Sequence, residues 1–365
     1  MSLRIQNVSK SFKEFQALDD VTFEMNTGEI ISILGPSGCG KSTLLQLIAG
    51  LQSPDKGEII LNDQRLSSPA YLMQPEKRPI NMVFQDYALW PHMTVMQNIF
   101  YGDKLKKTKK TVIMEKKNFL FELLHLHGLE ERYPSEISGG QKQRAAIARA
   151  LATEPDLLLM DEPLSNLDMQ LRYEMRNELS YLLRQLGTTV LHVTHDPLEA
   201  YALADRMLIL RDGRIEQFGR PKEVRENPAS LWVAGLLGMT NRLNGKAMEH
   251  YSVNEQSVSI GEQLIKGRGE VCPGSEAVIV LDSEDVTISH SNEHGSEGIN
   301  CISGTVMHTV YEGRKWRLMV ETAGGRMTVL HHEPLAIDSN IYLLFRIKDT
   351  LIFSHQIEKV REYHV

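Results

Sequence analysis

Over roughly the first two thirds of the chain, short unbroken apolar runs alternate with longer stretches whose apolar positions recur every three or four residues. The runs IISIL at 30–34, LLLM at 157–160 and TTVLHVT at 188–194 predict buried strands. The stripe Leu171, Met175, Leu179, Leu182 and Leu186 has helical spacing. Buried strands followed by helices predict βα units around a mostly parallel sheet. Residues from about 86 to 150 predict a helical region. Its lysine-rich tract (Lys104, Lys106, Lys107, Lys109, Lys110) is expected to be a solvated face. Past residue 235 the period changes. NPASLWVAGLLGMTNRLNG reads as a linker with a docking helix. The runs EAVIVLDSEDVTIS, SGTVMHTVYEGRKWRLMVETAGGRMTVLHH and IYLLFRIKDTLIFS then predict a small antiparallel β domain, sandwich or barrel. The expected division is 1–235 and 236–365.

Composition narrows the class. The 365 residues are 42% hydrophobic and 24% charged, which excludes disordered, collagen-like and coiled-coil chains. Lys+Arg 40 against Asp+Glu 47 gives a net charge of −7, unlike a protein built around a duplex-binding basic surface. No apolar run approaches the ~20 residues of a membrane-spanning helix, and the first residues lack a signal-peptide core. The chain is therefore expected in the cytosol, reaching a membrane only through a partner. Cys39, Cys272 and Cys301 form no CxxC pair, so reduced thiols are expected rather than disulfides or a zinc site.

The strongest chemical signal is GPSGCGKST at 35–43, lying between an apolar strand and an apolar helix pattern. It satisfies GxxxxGK[ST] in its required context. Gly35, Gly38 and Gly40 permit close approach of the backbone to an anion. The backbone N–H groups of this loop, from Ser37, Cys39 and Thr43 among others, then form a concave cradle at a helix N-terminus, and Pro36, which has no N–H, fixes the loop backbone beside them. Lys41 supplies a point charge for the β and γ phosphates and Ser42 a hydroxyl for Mg²⁺. Cys39 is expected to be small and tolerated. If the loop N–H groups lowered its pKa, it would be reactive and protected by ATP. A second strand end, LLLMDE at 157–162, places Asp161 to hold the metal and Glu162 to orient or deprotonate the attacking water.

Further segments follow in a fixed order: VFQDYALWPHMTV at 83–95, ISGGQKQR at 137–144, SNLD at 165–168 and VTHDPLEA at 193–200. Together with the phosphate loop and the DE pair, they resemble the ATP-binding cassette (ABC) ATPases over residues 1 to about 235. The resemblance implies an α/β P-loop nucleotide hydrolase with a helical subdomain at about 86–150, followed here by a small all-β C-terminal domain. Residue by residue, it implies that Gln85 reaches toward Mg²⁺ and the attacking water. It implies that Ser138, Gly139, Gly140 and Gln141 close over the γ-phosphate held by a second copy. Asp168 would lie at that dimer interface, His195 would contact the γ-phosphate, and Phe12 would stack on adenine, where many relatives carry Tyr or Trp. Ile137 stands where Leu is usual, a volume-conserving change. The implied magnesium set is Ser42, Gln85 and Asp161.

ATP gluing two cassettes, with hydrolysis releasing them, makes a motor whose moving part must be another subunit. The resemblance places its docking groove at residues 86–95, between Asp86 and Val95, with Tyr87, Leu89 and Trp90 as apolar anchors. The cassette-plus-β-tail arrangement resembles ATPase subunits of bacterial binding-protein-dependent importers for maltose, iron(III), sulfate and polyamines, whose tails hold oligonucleotide-binding-like β domains. The carried features are SEDV at 283–286, GTV at 304–306 and Gly313. Asp282, Ser283, Glu284 and Asp285 replace the Arg-Pro-Glu-Asp of many relatives. The implied partners are a second copy, integral membrane permease subunits and, indirectly, a solute-binding protein, with no nucleic acid. The expected place is the cytoplasmic face of the membrane, and the solute expected is iron(III) or a polyamine. The tail histidines, His331 and His332 among them, lack metal-ligand spacing. The alternative is a soluble ABC ATPase of translation or DNA repair. Those types carry two cassettes or a long coiled coil, and neither is present in this sequence.

Overall fold

The computed structural model describes residues 2–106, 108–252, 255–291 and 297–355. Lys107 of the lysine-rich tract lies outside the described residues. The chain divides into two compact units, residues 1–224 and 225–365.

In the first unit the buried runs form a six-stranded sheet. Its order is Arg214–Gly219, Arg206–Arg211, Ile30–Leu34, Val190–Thr194, Leu157–Asp161 and Ile80–Val83. All neighbours are parallel except the edge strand Arg214–Gly219. Ile30–Leu34 and Val190–Thr194 are buried at every position, as expected of strands covered on both faces. A second, antiparallel sheet (Phe15–Asn26, Ser2–Phe12, Lys56–Leu61, Gln64–Ser68, Tyr71–Leu72) contributes to the same core. In that core Leu44, Leu45, Leu47 and Ile48 of the helix Lys41–Ala49 pack with Ile5, Ile33 and Ile59. Buried Arg78 donates to the carbonyls of Leu47, Ile48, Leu66 and Met73 at 2.6 to 3.1 Å. It thereby caps a helix end with unpaired carbonyls, and burial lowers its pKa to about 10.

The predicted helical region contains Val95–Ile99, Tyr101–Leu105, Lys110–Leu123 and Gly139–Ala152, joined by irregular chain. Phe121, Ile147 and Leu158 link it to a second core, with Leu179 and Leu183 of the helix Met169–Leu186.

The second unit is all β. A closed barrel runs Asn241–Ser252, Glu255–Ile260, Gln263–Arg268, Leu351–Ser354, Glu276–Leu281. A five-stranded sheet runs Thr287–Ser289, Asn340–Arg346, Ile299–Tyr311, Trp316–Thr322, Gly325–His331. The apparent linker 227–245 therefore supplies part of the first barrel strand. Its helix Leu231–Leu236 buries Ala234 with Val278, Val280 and Leu351 of the barrel. Two asparagines staple barrel to sheet. Asn241 donates to the Thr328 carbonyl at 2.9 Å and accepts from its N–H at 2.6 Å, and Asn300 treats Lys266 in the same way.

Candidate nucleotide site

The loops leaving the C-terminal ends of four adjacent parallel strands carry the phosphate loop, Gln85, the Asp161–Glu162 pair and His195. In an open parallel sheet this edge is where ligands bind, because the loops converge there and helix N-termini point at it. The sequence motifs, scattered over 160 residues of chain, are brought to one edge by strand order alone.

The phosphate loop depends on its glycines. Gly38 and Gly40 have φ of +80° and +108°. A Cβ at Gly40 would fall 2.4 Å from the Ala17 carbonyl oxygen, and one at Gly35 would fall 2.4 Å from that of Leu210. Lys41, 5% exposed, folds its ammonium onto the loop, donating to the carbonyls of Gly35 at 2.7 Å and Pro36 at 2.8 Å. Cys39 is buried beside it, and burial raises its thiol pKa despite the nearby Lys41 charge. The condition under which Cys39 would be reactive, a lowered pKa, is not met, because desolvation outweighs the nearby Lys41 charge.

Ser42 Oγ donates to Asp161 Oδ1 at 3.4 Å. Burial first, and the Glu162 charge second, raise the Asp161 pKa. A hydroxyl and a carboxylate in this arrangement form a hard oxygen donor set suited to Mg²⁺, and a cation there would oppose both causes of the shift. Glu162 adopts φ +46°, a conformation costly for a non-glycine residue and often found at functional sites. Its carboxylate Oε2 lies 3.0 Å from His195 Nδ1.

Phe12 ends its strand half exposed, with the Lys10 ammonium 5.6 Å from its ring centroid. Ser138 caps the helix Gly139–Ala152 in a capping box. Its Oγ accepts from the Gln141 N–H at 3.3 Å, and Gln141 Oε1 accepts from the Ser138 N–H at 2.9 Å. Because Oγ only accepts in this box, its own proton stays available to a ligand. Asp168 caps the next helix, accepting from the Leu171 N–H at 2.9 Å. Ser138, Gly139 and Asp168 are exposed, and Gly140 is buried against Leu171.

Several residues escaped sequence reasoning. Asn166 donates to the Gln85 carbonyl at 2.7 Å and so ties two of the loops together. Arg172 donates to the carbonyls of Ser165 and Leu167. Arg149 on the Ser138-capped helix donates to the carbonyls of Tyr87 at 2.8 Å and Ala88 at 2.6 Å. These two consecutive residues have φ of +64° and +44°. The Arg149 guanidinium also lies 5.0 Å from the Trp90 ring, which packs on Tyr101. Together with Met82 and Phe84 they line a groove of about 360 Å³. Tyr87 is not one of its walls. It is 6% exposed and joins the core, whereas Trp90 lines the groove and Leu89 packs against the core. Arginines whose partners are carbonyls leave no pairing pattern in the sequence, which explains their absence from a motif-based reading.

The ABC transporter family model matches residues 18–165. The chain is 41% identical over 324 residues to the spermidine/putrescine import ATP-binding protein PotA of Thermotoga maritima, covering 88% of this chain and 87% of that protein. It is 39% identical over 326 residues to the PotA of Nitratidesulfovibrio vulgaris, covering 89% and 87%. Among solved structures, a dimeric ATP-binding cassette in a post-hydrolysis state with ADP and Pi matches at TM-score 0.53 and 30% identity, covering 60% of this chain and 98% of that one. The cbiO1 protein of Clostridium perfringens, part of the cbiONQ transporter complex, matches at TM-score 0.56 and 29% identity, covering 61% and 89%.

Proposed function

The chain belongs to the ABC transporter ATPases, and from that premise we propose that it energises polyamine import through a cassette dimer coupled to separate membrane subunits. Its fold is that of a P-loop nucleotide hydrolase with an all-β C-terminal unit, and its activity is ATP hydrolysis coupled to transport. The polyamine assignment follows its relatives, spermidine/putrescine import ATP-binding proteins that it matches over nearly nine tenths of their length. It replaces the iron(III) alternative.

The observation that carries the mechanism is the convergence of Lys41, Asp161, Glu162 and His195 at one sheet edge. In this reading Phe12 stacks on adenine and the loop from Gly35 through Thr43 cradles the phosphates. Lys41 exchanges its two carbonyl acceptors for phosphate oxygens. Ser42, Asp161 and Gln85 would hold Mg²⁺, whose chemistry is to neutralise charge on the β and γ phosphates. Glu162 accepts a proton from water as its oxygen bonds to the γ-phosphorus. The bond from that phosphorus to the bridging oxygen breaks, leaving ADP and phosphate. His195 holds the Glu162 carboxylate and faces the γ-phosphate. Ser138, Gly139, Gly140 and Gln141 of one copy close the site of the other, with Asp168 at the interface. The Trp90 groove receives the membrane subunit, which places the chain at the cytoplasmic face of the membrane.

Glu162→Gln tests this directly. The variant should bind ATP with near-normal affinity, lose steady hydrolysis by at least about 100-fold, and form a dimer only with MgATP, as read by light scattering. A variant that stays monomeric at saturating MgATP refutes the sandwich.

A further inference from the structure

Behind the site lies a buried polar chain that the mechanism above does not use. Thr194, the last residue of its strand, donates its hydroxyl to Glu199 Oε2 at 2.7 Å. The same hydroxyl accepts from the Asp196 N–H at 3.0 Å. These two residues flank His195. Glu199 sits on the helix Pro197–Leu203 and is 3% exposed, and Thr194 is 1% exposed. On its other side Glu199 Oε2 faces His192 Nε2 at 3.7 Å, and His192 Nδ1 is 3.1 Å from the Ser32 hydroxyl on the strand that feeds the phosphate loop. Ser32 and His192 are fully buried. Burial drives the His192 pKa down to about 3 and the Glu199 pKa up. The Arg172 charge opposes the shift on Glu199, and Arg172 also grips the Ser165 and Leu167 carbonyls.

A buried carboxyl is costly unless something is gained from it. Glu199 is too deeply buried to meet ATP. What it touches is the hydroxyl that fixes the Thr194–Asp196 turn, whose middle residue is bonded to Glu162. We propose that Glu199 is a positioning residue for His195, acting through Thr194 and the Asp196 N–H to hold the imidazole against the Glu162 carboxylate. This rests on the reading of His195 given above. Without Glu199 the Thr194 hydroxyl loses its buried acceptor and is free to rotate away from Asp196. The turn then loosens at the one point where a small displacement is felt at the reacting atoms.

The test is a double-mutant cycle on ATP turnover by the full chain. Glu199→Ala should lower kcat by about 10-fold or more while KM for ATP changes by less than about 2-fold, because the phosphate loop is untouched. Glu199→Gln retains a carbonyl oxygen for the Thr194 hydroxyl and should recover most of the loss. Thr194→Val removes the relay with little change of volume, should reproduce the Glu199→Ala phenotype, and carries the test if Glu199→Ala fails to fold. On a His195→Ala background, Glu199→Ala or Thr194→Val should add nothing further. Additive losses, a KM rise that matches the fall in kcat/KM, or a Glu199→Gln variant no better than Glu199→Ala each overturn the proposal. A His195→Ala protein with undiminished turnover overturns the assigned role of His195, and the proposal with it.

Discussion

The two units use buried side-chain amides differently, although the β unit too holds a buried polar atom without a partner among the described residues, Arg268 Nε. In the β unit, Asn241, Gln256 and Asn300 use their amides to satisfy backbone groups, like additional backbone. In the cassette, buried Gln143 and Tyr87 carry side-chain polar atoms without partners among the described residues, as does His192 at Nε2. Backbone strain divides similarly. Among the described non-glycine residues, eleven of the cassette adopt left-handed conformations, Tyr87, Ala88 and Glu162 among them, and Asp338 of the β unit does so in a turn between strands. Fully satisfied networks fix one structure, and partly satisfied or strained ones are the places where a second arrangement costs little. The contrast frames the proposed motor in the cassette against the β unit as a comparison to be tested.

The most severe challenge to this contrast is Gly40→Ala. A Cβ driven into the Ala17 carbonyl at φ +108° should abolish ATP binding, as read by fluorescent-nucleotide titration, and destabilise the cassette by about 3 kcal/mol. The counterpart in the β unit is Asn241→Ala. It leaves the Thr328 N–H and C=O without their partner and should lower the denaturation midpoint of that unit by the equivalent of about 2–4 kcal/mol. Turnover by the isolated protein should stay within about 2-fold. A larger loss would mean that the scaffold is part of the motor.

Smaller in size is an acid effect through His192. Its folded pKa of about 3 lies below the ordinary 6.5. The unfolded chain therefore binds a proton first, and stability present above pH 6.5 is lost as pH falls toward 3. By pH 5.5 the loss should be about 1.4 kcal/mol, measured by urea unfolding and absent in His192→Leu. Smallest is Ala88→Gly, which should raise stability by about 0.5–1 kcal/mol by relieving a left-handed alanine. A destabilised variant would show that Arg149 already offsets the strain in full.

What the sequence disclosed follows the same division. The central strands were legible because each is covered on both faces and written as one apolar run, and the phosphate loop because its glycines answer a steric demand. The barrel was harder to read. Its first three strands, from Asn241 to Arg268, mix polar and apolar residues, and part of the first has the look of a linker in sequence. Tyr87, expected at the groove, is buried in the core instead. A motif records spacing, and burial is decided by what packs over the residue from distant parts of the chain. Arg149, Arg172 and Asn166 went unseen because a side chain bonded to carbonyls needs no particular residue type as its partner.

The Asn166 bond to the Gln85 carbonyl has one more consequence. In the function proposed above its two ends belong to loops with different partners, one toward a second copy and one toward the membrane groove. A single 2.7 Å bond joins them, so displacing one loop strains its contact with the other. On the proposed reading, a docked permease and a closed dimer would both bear on this one hydrogen bond.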